Sequence, residues 1–232
     1  MSQATIKRHE QRRRQRNRGQ LLIGSVPQSI RPGPYDPNVM VKLTRRYTNG
    51  TVGPITNCRA AGICESLGLT CTATNATAQA TFGWFKIKRI KIWGVAPTPP
   101  GTTSVGLIWG YTNSANQANF TLNKEVRDIS GSSAYVPYIE AVPPAGSLAS
   151  FWQTQCDSAG ARRTTDNDII FSLNCAPGSI VEVDFEAVMF DAGRNTIRTA
   201  TVISSGTASA YAYAPLDGVA GGYAPEGVDY FV

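Results

Sequence analysis

The side chains most able to do chemistry in this chain are basic, and the densest group lies in residues 1–20. Against the single acid Glu10, this segment carries Lys7, Arg8, Arg12, Arg13, Arg14, Arg16 and Arg18. It therefore holds a charge of +6, which equals the net charge of the whole chain. Because the planar guanidinium group matches phosphate oxygens with two parallel hydrogen bonds, the segment predicts an arm that binds nucleic acid.

The composition of the arm defines its expected behaviour. It has almost no apolar surface to bury, so we expect it to be disordered until an anion binds it. It also has no aromatic side chain on which bases could stack, so its binding should be independent of base sequence and strongly dependent on salt. A nuclear import signal and a solubilising tail are the alternatives. The apolar run 21–23 is too short for a signal peptide or a membrane span, so no membrane partner is expected.

A second basic group, Lys86, Lys88 and Lys91, lies in the segment Thr81-Phe-Gly-Trp-Phe-Lys-Ile-Lys-Arg-Ile-Lys-Ile-Trp-Gly94. Apolar and basic residues alternate as in a strand, but the alternation slips by one residue at Lys88-Arg89. A β-bulge there would keep all the apolar side chains on one face. The opposite, cationic face predicts a second contact with nucleic acid. The alternative is a solvated or subunit-facing surface whose lysines prevent pairing at a sheet edge.

The rest of the sequence indicates an all-β body. Residues 21–38 are rich in proline and glycine and predict a linker, residues 39–203 a shell domain, and residues 204–232 a C-terminal tail. Alternation and turn residues predict strands at 39–44, 81–94, 105–111, 124–129, 135–139, 148–155, 168–173, 180–190 and 196–203. Segment 51–80 has weak periodicity, for which we expect a short helix and one strand. Strands of this number and spacing are typical of a two-sheet sandwich of Greek-key or jelly-roll type.

Several kinds of chemistry are disfavoured. The only histidine, His9, lies in the arm, so Ser-His-Asp and Cys-His catalysis are not expected. The carboxylates Glu182, Asp184 and Glu186 leave a glycosidase open, although alternate acids also suit a solvated strand face. The segment 166–168 offers oxygen ligands for calcium, but most such loops are only polar. The five cysteines lack paired short spacings, so we expect buried free thiols, no metal site and no cofactor.

The layout resembles capsid proteins of small icosahedral viruses. The likeness lies in the Arg-rich arm, the Pro-rich linker, the strand 85–94, the segment Val126-Arg-Asp-Ile-Ser130 and the strand Ile180-Val-Glu-Val-Asp-Phe-Glu-Ala-Val-Met-Phe-Asp191. It is greatest to single jelly-roll coats of circular single-stranded DNA viruses, with plus-strand RNA virus coats next.

The resemblance implies an eight-stranded antiparallel jelly roll that self-assembles into an icosahedral shell. The arm would face inward onto a viral genome, expected to be single-stranded. The protein would then be structural rather than an enzyme and would reside in the virion, with the host nucleus as a further site during assembly. The alternative function is a monomeric β-sandwich module that binds carbohydrate or nucleic acid and carries a basic tail.

Overall fold

The computed structural model describes residues 40–50, 55–110, 124–156, 161–165, 168–189, 201–202, 208–220 and 222–227. All of them belong to the unit Asn38–Val232. The arm and linker lie outside the described residues, as do residues 190–200. Within the described residues the elements are β1 (Met40–Asn49), β2 (Thr56–Arg59), α1 (Ala60–Leu67), β3 (Leu69–Ala73), β4 (Thr77–Ala80), β5 (Phe82–Trp93), β6 (Thr103–Trp109), β7 (Lys124–Ser130), β8 (Tyr138–Ala141), a 3₁₀ turn (Leu148–Ser150), β9 (Gln153–Thr154), β10 (Ile169–Cys175), β11 (Ile180–Met189), β12 (Thr201–Val202), β13 (Tyr211–Ala212) and β14 (Tyr223–Pro225).

Two antiparallel sheets form the body. Sheet A has the strand order β14-β1-β11-β5-β8, and β9 also pairs with β5. Sheet B has the order β2-β10-β6-β7. Eight main strands remain when the short β9 and β14 and the separate small sheet of β3, β4, β12 and β13 are left out. Numbered from one to eight in chain order, they follow the order 1-8-3-6 in sheet A and 2-7-4-5 in sheet B. This order is that of an eight-stranded jelly roll, so the predicted fold class is confirmed.

The core lies between the two sheets, and the alternation of the strands explains which side chains enter it. In β11 every second residue from Val181 to Ala187 is buried, and the residues between them are partly exposed. Aromatic side chains pack edge to face within each sheet: Phe85 against Phe185 at 6.3 Å between ring centroids, and Trp109 against Phe171 at 6.1 Å. Such pairs add to the stabilisation that burial of their area provides.

The segment 51–80 contains more strand than the sequence predicted. The described part holds α1 and three strands, β2, β3 and β4, where one strand was expected. The third sheet joins β3 and β4 to β12 and β13, in the order β12-β4-β3-β13. The expected short helix is present as α1, but the number of strands was wrong, because Thr, Ala and Asn give little hydrophobic contrast between the two faces of a strand.

The predicted strand 148–155 is also mostly wrong. A 3₁₀ turn replaces its first part, and only Gln153 and Thr154 pair with β5. Phe151 is 55% exposed and Trp152 is 39% exposed. Their hydrophobicity suggested a buried strand, but the Pro-Pro-Ala-Gly sequence before them leads the chain into a turn.

The C-terminal segment folds onto the body of its own chain. Residues of β13 pair with β3, and residues of β14 pair with β1. Leu216 and Tyr223 are fully buried. The described part of the predicted tail therefore packs against strands of its own chain.

The cysteines are as the sequence predicted. All five, Cys58, Cys64, Cys71, Cys156 and Cys175, are buried, and none of them forms a disulfide. Burial raises the pKa of the Cys58 and Cys64 thiols, so both remain protonated at neutral pH. In the described part of the chain, no helix has the length and hydrophobicity needed to cross a membrane.

Candidate nucleic-acid and subunit interface

The three predicted basic residues of β5 lie on the outer face of sheet A, away from the core. Lys86 and Lys91 are partly exposed and Lys88 is exposed, while Ile87 and Ile90 are buried. The seven basic residues of the arm lie outside the described residues. Of the predicted nucleic-acid-binding residues, the structure therefore describes only Lys86, Lys88 and Lys91.

The predicted bulge in β5 is confirmed. In the pairing of β5 with β11, Asp184 lies opposite Arg89 and Phe185 lies opposite Ile87, so Lys88 has no partner of its own. The extra residue returns Ile90 to the inner face and brings Arg89 beside the lysines on the outer face. On its other side β5 pairs with β9 at Trp84 and Phe85 and with β8 at Ile90–Trp93, so the edge-protecting role considered for the lysines does not apply to Lys91, which is paired on both sides.

The outer face is not free positive charge, because the acidic residues of β11 lie opposite the basic residues of β5. Lys91 Nζ lies 2.8 Å from Glu182 Oε1. Lys88 Nζ lies 3.4 Å from a carboxylate oxygen of Glu186. The acidic residues of β11 and the basic residues of β5 thus lie beside each other across two paired strands, and opposite charges in such positions stabilise the pairing.

Arg89, next to the bulge, joins two carboxylates. Its Nη2 atom lies 2.7 Å from Asp184 Oδ2, and its Nη1 atom lies 2.9 Å from Glu140 Oε1. Glu140 also accepts a hydrogen bond from Tyr138 at 2.9 Å. The arginine thereby connects the central strand β11 to the outer strand β8.

These contacts favour the ionised forms of Glu182 and Asp184. The hydrogen bond from Lys91 is the main cause that lowers the pKa of Glu182. Partial burial alone would raise the pKa of Asp184, but hydrogen bonds from Thr44 and Arg89 outweigh it and lower that pKa. The lowered pKa of Glu182 and of Asp184 is the opposite of the raised pKa that the general acid of a glycosidase needs.

Two cations on this face are less constrained than the others. Among the described residues, neither Lys42 on β1 nor Lys86 on β5 has a carboxylate oxygen within 4.0 Å. A surface depression of about 380 Å³ lies at the bulge, lined by Lys42, Leu43, Thr44, Lys88, Arg89, Asp184, Phe185 and Glu186. Because cations and carboxylates are mixed in its lining, it offers anions only a weak net attraction.

The calcium alternative finds no support in the described part of loop 161–168. The carboxylate of Asp168 accepts a hydrogen bond from Arg163 Nε at 2.8 Å and one from the Thr165 hydroxyl at 2.6 Å. Asp166 and Asn167 lie outside the described residues. Across the described ranges, no group of three or more His, Cys, Asp or Glu residues could hold a metal ion.

Sequence analysis missed an apolar row at one end of the outer face. Met40 of β1 lies opposite Val188 of β11, and Val188 lies opposite Trp84 of β5. Met40 is 55% exposed and Trp84 is 40% exposed. The signal was present in the sequence, because Trp84 is in phase with the outward Lys86 rather than with the inward Phe85. Exposed apolar surface of this kind is typical of a contact with another protein.

A buried ion pair below α1 was missed as well. The carboxylate of Glu65, only 1% exposed, accepts hydrogen bonds from Arg162 Nε at 2.7 Å and from Arg162 Nη2 at 2.5 Å. The side-chain amide of Gln155 donates to the same carboxylate at 2.9 Å. This cluster joins the helix to Gln155 and Arg162, and nothing in the spacing of these residues along the chain indicates it.

Comparison with known proteins gives matches among solved structures only. No protein-family model matches the chain, and no curated protein matches it. A structure of Desmodium yellow mottle tymovirus matches at 12% identity and a TM-score of 0.34, covering 72% of this chain and 98% of that one. Deformed wing virus, a honeybee pathogen, matches at 8% identity and a TM-score of 0.29, covering 81% of this chain and 51% of that one. Mud crab dicistrovirus matches at 12% identity and a TM-score of 0.26, covering 78% of this chain and 79% of that one.

These neighbours are virus structures, but the likeness is distant. At such identities and TM-scores the assignment of the fold rests on the strand order and pairing of the chain itself. The neighbours do not support the ranking expected from the sequence, in which the chain resembles coats of circular single-stranded DNA viruses more than coats of plus-strand RNA viruses. The fold that the chain has is the eight-stranded antiparallel jelly roll.

Proposed function

We propose that this protein is a structural capsid protein that self-assembles into an icosahedral shell and packages a viral genome through its Arg-rich arm. The observation that carries the proposal is the combination of a jelly roll with a charge-compensated outer face and a separate arm of charge +6. A neutral body can associate with copies of itself without charge repulsion, and an excess of cations on an arm can attract phosphate. The chain would be found in the virion and would need no cofactor.

The pairing on sheet A assigns the main nucleic-acid contact to the arm. Lys88 and Lys91 already neutralise Glu186 and Glu182, so a phosphate would have to compete with these carboxylates. Lys86, which has no such partner among the described residues, is the strand residue best able to contribute. We therefore propose a ranking in which Lys7, Arg8, Arg12, Arg13, Arg14, Arg16 and Arg18 contribute most, Lys86 less, and Lys88 and Lys91 least.

Simple arithmetic relates the arm to the genome. Icosahedral symmetry requires at least sixty equivalent copies, and arms of +6 then supply about 360 positive charges, or about 1,080 for three times as many copies. Each nucleotide carries one negative charge. A shell of sixty copies would leave most of a genome of several thousand nucleotides without compensation from the arms, so such a genome requires a larger shell or additional cations.

Negative-stain electron microscopy of the expressed protein, with the absorbance ratio at 260 and 280 nm, tests the proposal. We expect closed shells of one size and a high ratio. A single species near 24.9 kDa at every salt concentration, with or without nucleic acid, would contradict assembly and favour the monomeric binding module. Digestion of the contents with DNase or with RNase then decides between a DNA genome and an RNA genome.

Deletion of residues 2–18 tests the role of the arm. We expect shells of the same diameter with a low absorbance ratio, because the body carries no net charge. A matched control replaces the six arginines of the arm by lysine, which keeps the charge but removes the two-point phosphate geometry. An undiminished absorbance ratio in the deletion variant would overturn the assignment of packaging to the arm. Fusing residues 1–20 to an unrelated protein, with nuclear accumulation as the readout, tests the host-nucleus prediction.

The exposed apolar row supports self-association and has its own test. Trp84→Arg should reduce assembly while leaving a folded monomer, because the side chain points away from the core. Tyr135→Arg is the matched control, since Tyr135 is 55% exposed on a different part of the surface. Equal assembly of the two variants would remove Trp84 from the contact between copies.

A further inference from the structure

The charges on the outer face of sheet A form columns, because the outward charged residues of each strand share one sign. Strand β1 is basic at Lys42 and Arg46, and the outward positions of β11 are acidic from Glu182 to Glu186. The outward charged residues of β5 are basic, and β8 contributes the acid Glu140. The strand order β1-β11-β5-β8 therefore gives columns that are positive, negative, positive and negative.

Apolar rows lie at both ends of the charged columns. At one end Val188 lies opposite Trp84. At the other end Trp93 lies between Ile180 and Tyr138, and its ring centroid is 5.5 Å from that of Tyr138. Trp84 is 40% exposed and Tyr138 is 37% exposed. Each row therefore offers apolar surface to another protein.

This pattern is complementary to itself under one two-fold rotation. Neighbouring strands of a sheet are about 4.8 Å apart, so β11 and β5 lie equally far on either side of the line midway between them. Strands β1 and β8 lie equally far beyond them. A two-fold axis along that line, parallel to the strands, lays β5 of one copy over β11 of a second copy, and β1 over β8. Every charged column then faces a column of the opposite sign.

The rows also match, because this rotation keeps each residue at its position along the strands. Lys91 would face Glu182 of the second copy, which lies opposite it within the sheet. Arg46 would face Glu140 of the second copy, since all four residues lie in one row. The apolar rows would face their own counterparts at the two ends, so no charge is placed against them.

The other two-fold arrangement of the face is unfavourable. An axis across the strands would lay each column on the same column of the second copy. Lys88 and Lys91 would then meet basic residues, and the acids of β11 would meet acids. Like charges in contact cost binding free energy, so the face favours one orientation of the second copy.

We propose that the outer face of sheet A binds the same face of a second copy of this chain, through a two-fold axis that runs along the strands between β5 and β11. The proposal rests on the proposed self-assembly, for which it names the contact surface. The charged columns set the orientation of the two copies, and the apolar rows add buried area. As in any two-fold contact, each pair of facing residues occurs twice.

The size of the face indicates how strong this contact is. Four strands of about ten residues cover about 600 Å² per copy, so a pair of copies buries about 1,200 Å² in total. This area is at the lower end of the range for specific protein interfaces. Because many of the charges are already paired within the chain, they contribute more to orientation than to affinity. We therefore expect a weak pair in solution, which the other contacts of a shell would reinforce.

Two variants with opposite charge reversals test the contact in the full-length chain. The β5 reversal, Lys86→Glu with Lys91→Glu, places acids where the acids of β11 face them. The β11 reversal, Glu182→Lys with Glu186→Lys, places bases where the bases of β5 face them. Neither variant should associate with itself, but an equimolar mixture should, because every reversed position then meets the opposite charge. Sedimentation velocity without nucleic acid measures the mass fraction above 24.9 kDa, and we expect it to be at least ~10-fold higher in the mixture than in either variant alone.

Two further variants control for misfolding and for net charge. The variant that combines all four substitutions restores opposite charges within the chain and between copies, so it should associate with itself as the native chain does. Lys124→Glu with Arg127→Glu makes the same change in net charge as the β5 reversal, at exposed positions of β7, and should also associate as the native chain does. A mixture of the two reversals that associates no more than each alone would overturn the proposal, and so would an equal loss in the β7 variant.

The same experiment separates this contact from the proposed capsid function. Closed shells that each reversal variant forms alone, in native yield, would overturn the contact and leave the capsid function standing. Paired copies that follow the expected charge pattern but never form shells would support the contact and contradict the capsid function. A native chain and a mixture that both remain single chains would overturn both.

Discussion

The carboxylates of this protein fall into two groups with opposite surroundings. Glu65 and Asp217 are 1% and 6% exposed, in the interior close to α1 and the C-terminal segment. Glu182 and Asp184 retain 12% and 22% of their side-chain exposure on the outer face of sheet A. Water has little access to the buried carboxylates, whereas it can replace the partners of the carboxylates on the face. We therefore expect burial, rather than the number of ion pairs, to decide how much each group matters to stability.

Removal of the guanidinium group from the buried pair should have the largest effect. Arg162→Ala removes the two hydrogen bonds that the guanidinium group donates to the buried Glu65 carboxylate, and we expect the free energy of unfolding to fall by about 3–5 kcal/mol. Urea unfolding followed by tryptophan fluorescence measures the loss. Arg127→Ala, at an exposed arginine of β7, is the control and should change the value by no more than about 0.5 kcal/mol. A loss for Arg162→Ala no greater than that of the control would contradict the comparison.

Neutralising the acid of the same pair should cost less. In Glu65→Gln the side-chain carbonyl can still accept a hydrogen bond, and the side chain of Arg162, which is 33% exposed, can turn toward water. We expect a loss of about 1–3 kcal/mol in the same urea experiment. The double variant Glu65→Gln with Arg162→Ala should be less destabilised than the sum of the two single variants, because no buried charge remains. Strict additivity would show that the two groups do not act as a pair.

Asp217 should show the pH dependence of an acid whose pKa is raised by burial. Burial raises the pKa of Asp217 above its ordinary value of 3.8, against the hydrogen bonds from the backbone N–H groups of Val219 and Tyr223. The folded state then binds the proton more tightly than the unfolded state, so this group loses stability as the pH rises from 3.8 through the raised pKa. Asp217→Asn should therefore be more stable than the native chain at pH 7, and the difference should shrink toward pH 3.8. Urea unfolding at pH 7 and pH 4 measures it, and an advantage that grows on acidification would refute the assignment.

The face carboxylate Glu182 should give the smallest effect and the opposite sign with pH. Its contacts with Lys91 at 2.8 Å and Arg46 at 3.0 Å lower its pKa below the ordinary value of 4.5. Its contribution is complete above pH 4.5 and is lost as the pH falls through the lowered pKa. Glu182→Gln should cost about 0–1 kcal/mol at pH 7, and less in 1 M salt because partly exposed pairs are screened. Glu125→Gln, at an exposed acid of β7, is the matched control. A loss from Glu182→Gln as large as that from Arg162→Ala would break the distinction between the two groups.

A feature could be predicted from the sequence when it is local to one strand, and it could not when it joins strands that are far apart along the chain. The bulge at Lys88 and Arg89 could be predicted because the slip in alternation is a local property of β5. The pairing of Lys91 with Glu182 could not, since the two residues are 91 positions apart and only the register of β11 on β5 brings them together. The cationic face therefore looked more positive in the sequence than it is in the fold.

The segments that sequence analysis described wrongly have weak or misleading local patterns. Segment 51–80 has little contrast between apolar and polar residues, and Phe151 and Trp152 are large apolar side chains that the fold leaves on the surface. The aromatic residues of the C-terminal segment suggested that it packs against something, but the sequence did not indicate that Leu216 and Tyr223 are buried within the same chain. In each case contacts with distant strands decide the outcome, and single-sequence periodicity does not contain them.

The sequence by itself determined the all-β class, the phases of β5 and β11, the buried free thiols and the separation of a +6 arm from a neutral body, because these depend on composition and on neighbours along the chain. Only the tertiary structure decided the jelly-roll strand order, the neutralisation of the outer face, the buried pair of Glu65 and Arg162 and the return of β14 to β1. The physical reason is that these features are contacts between segments far apart in sequence, which form only when the two sheets close around a common core.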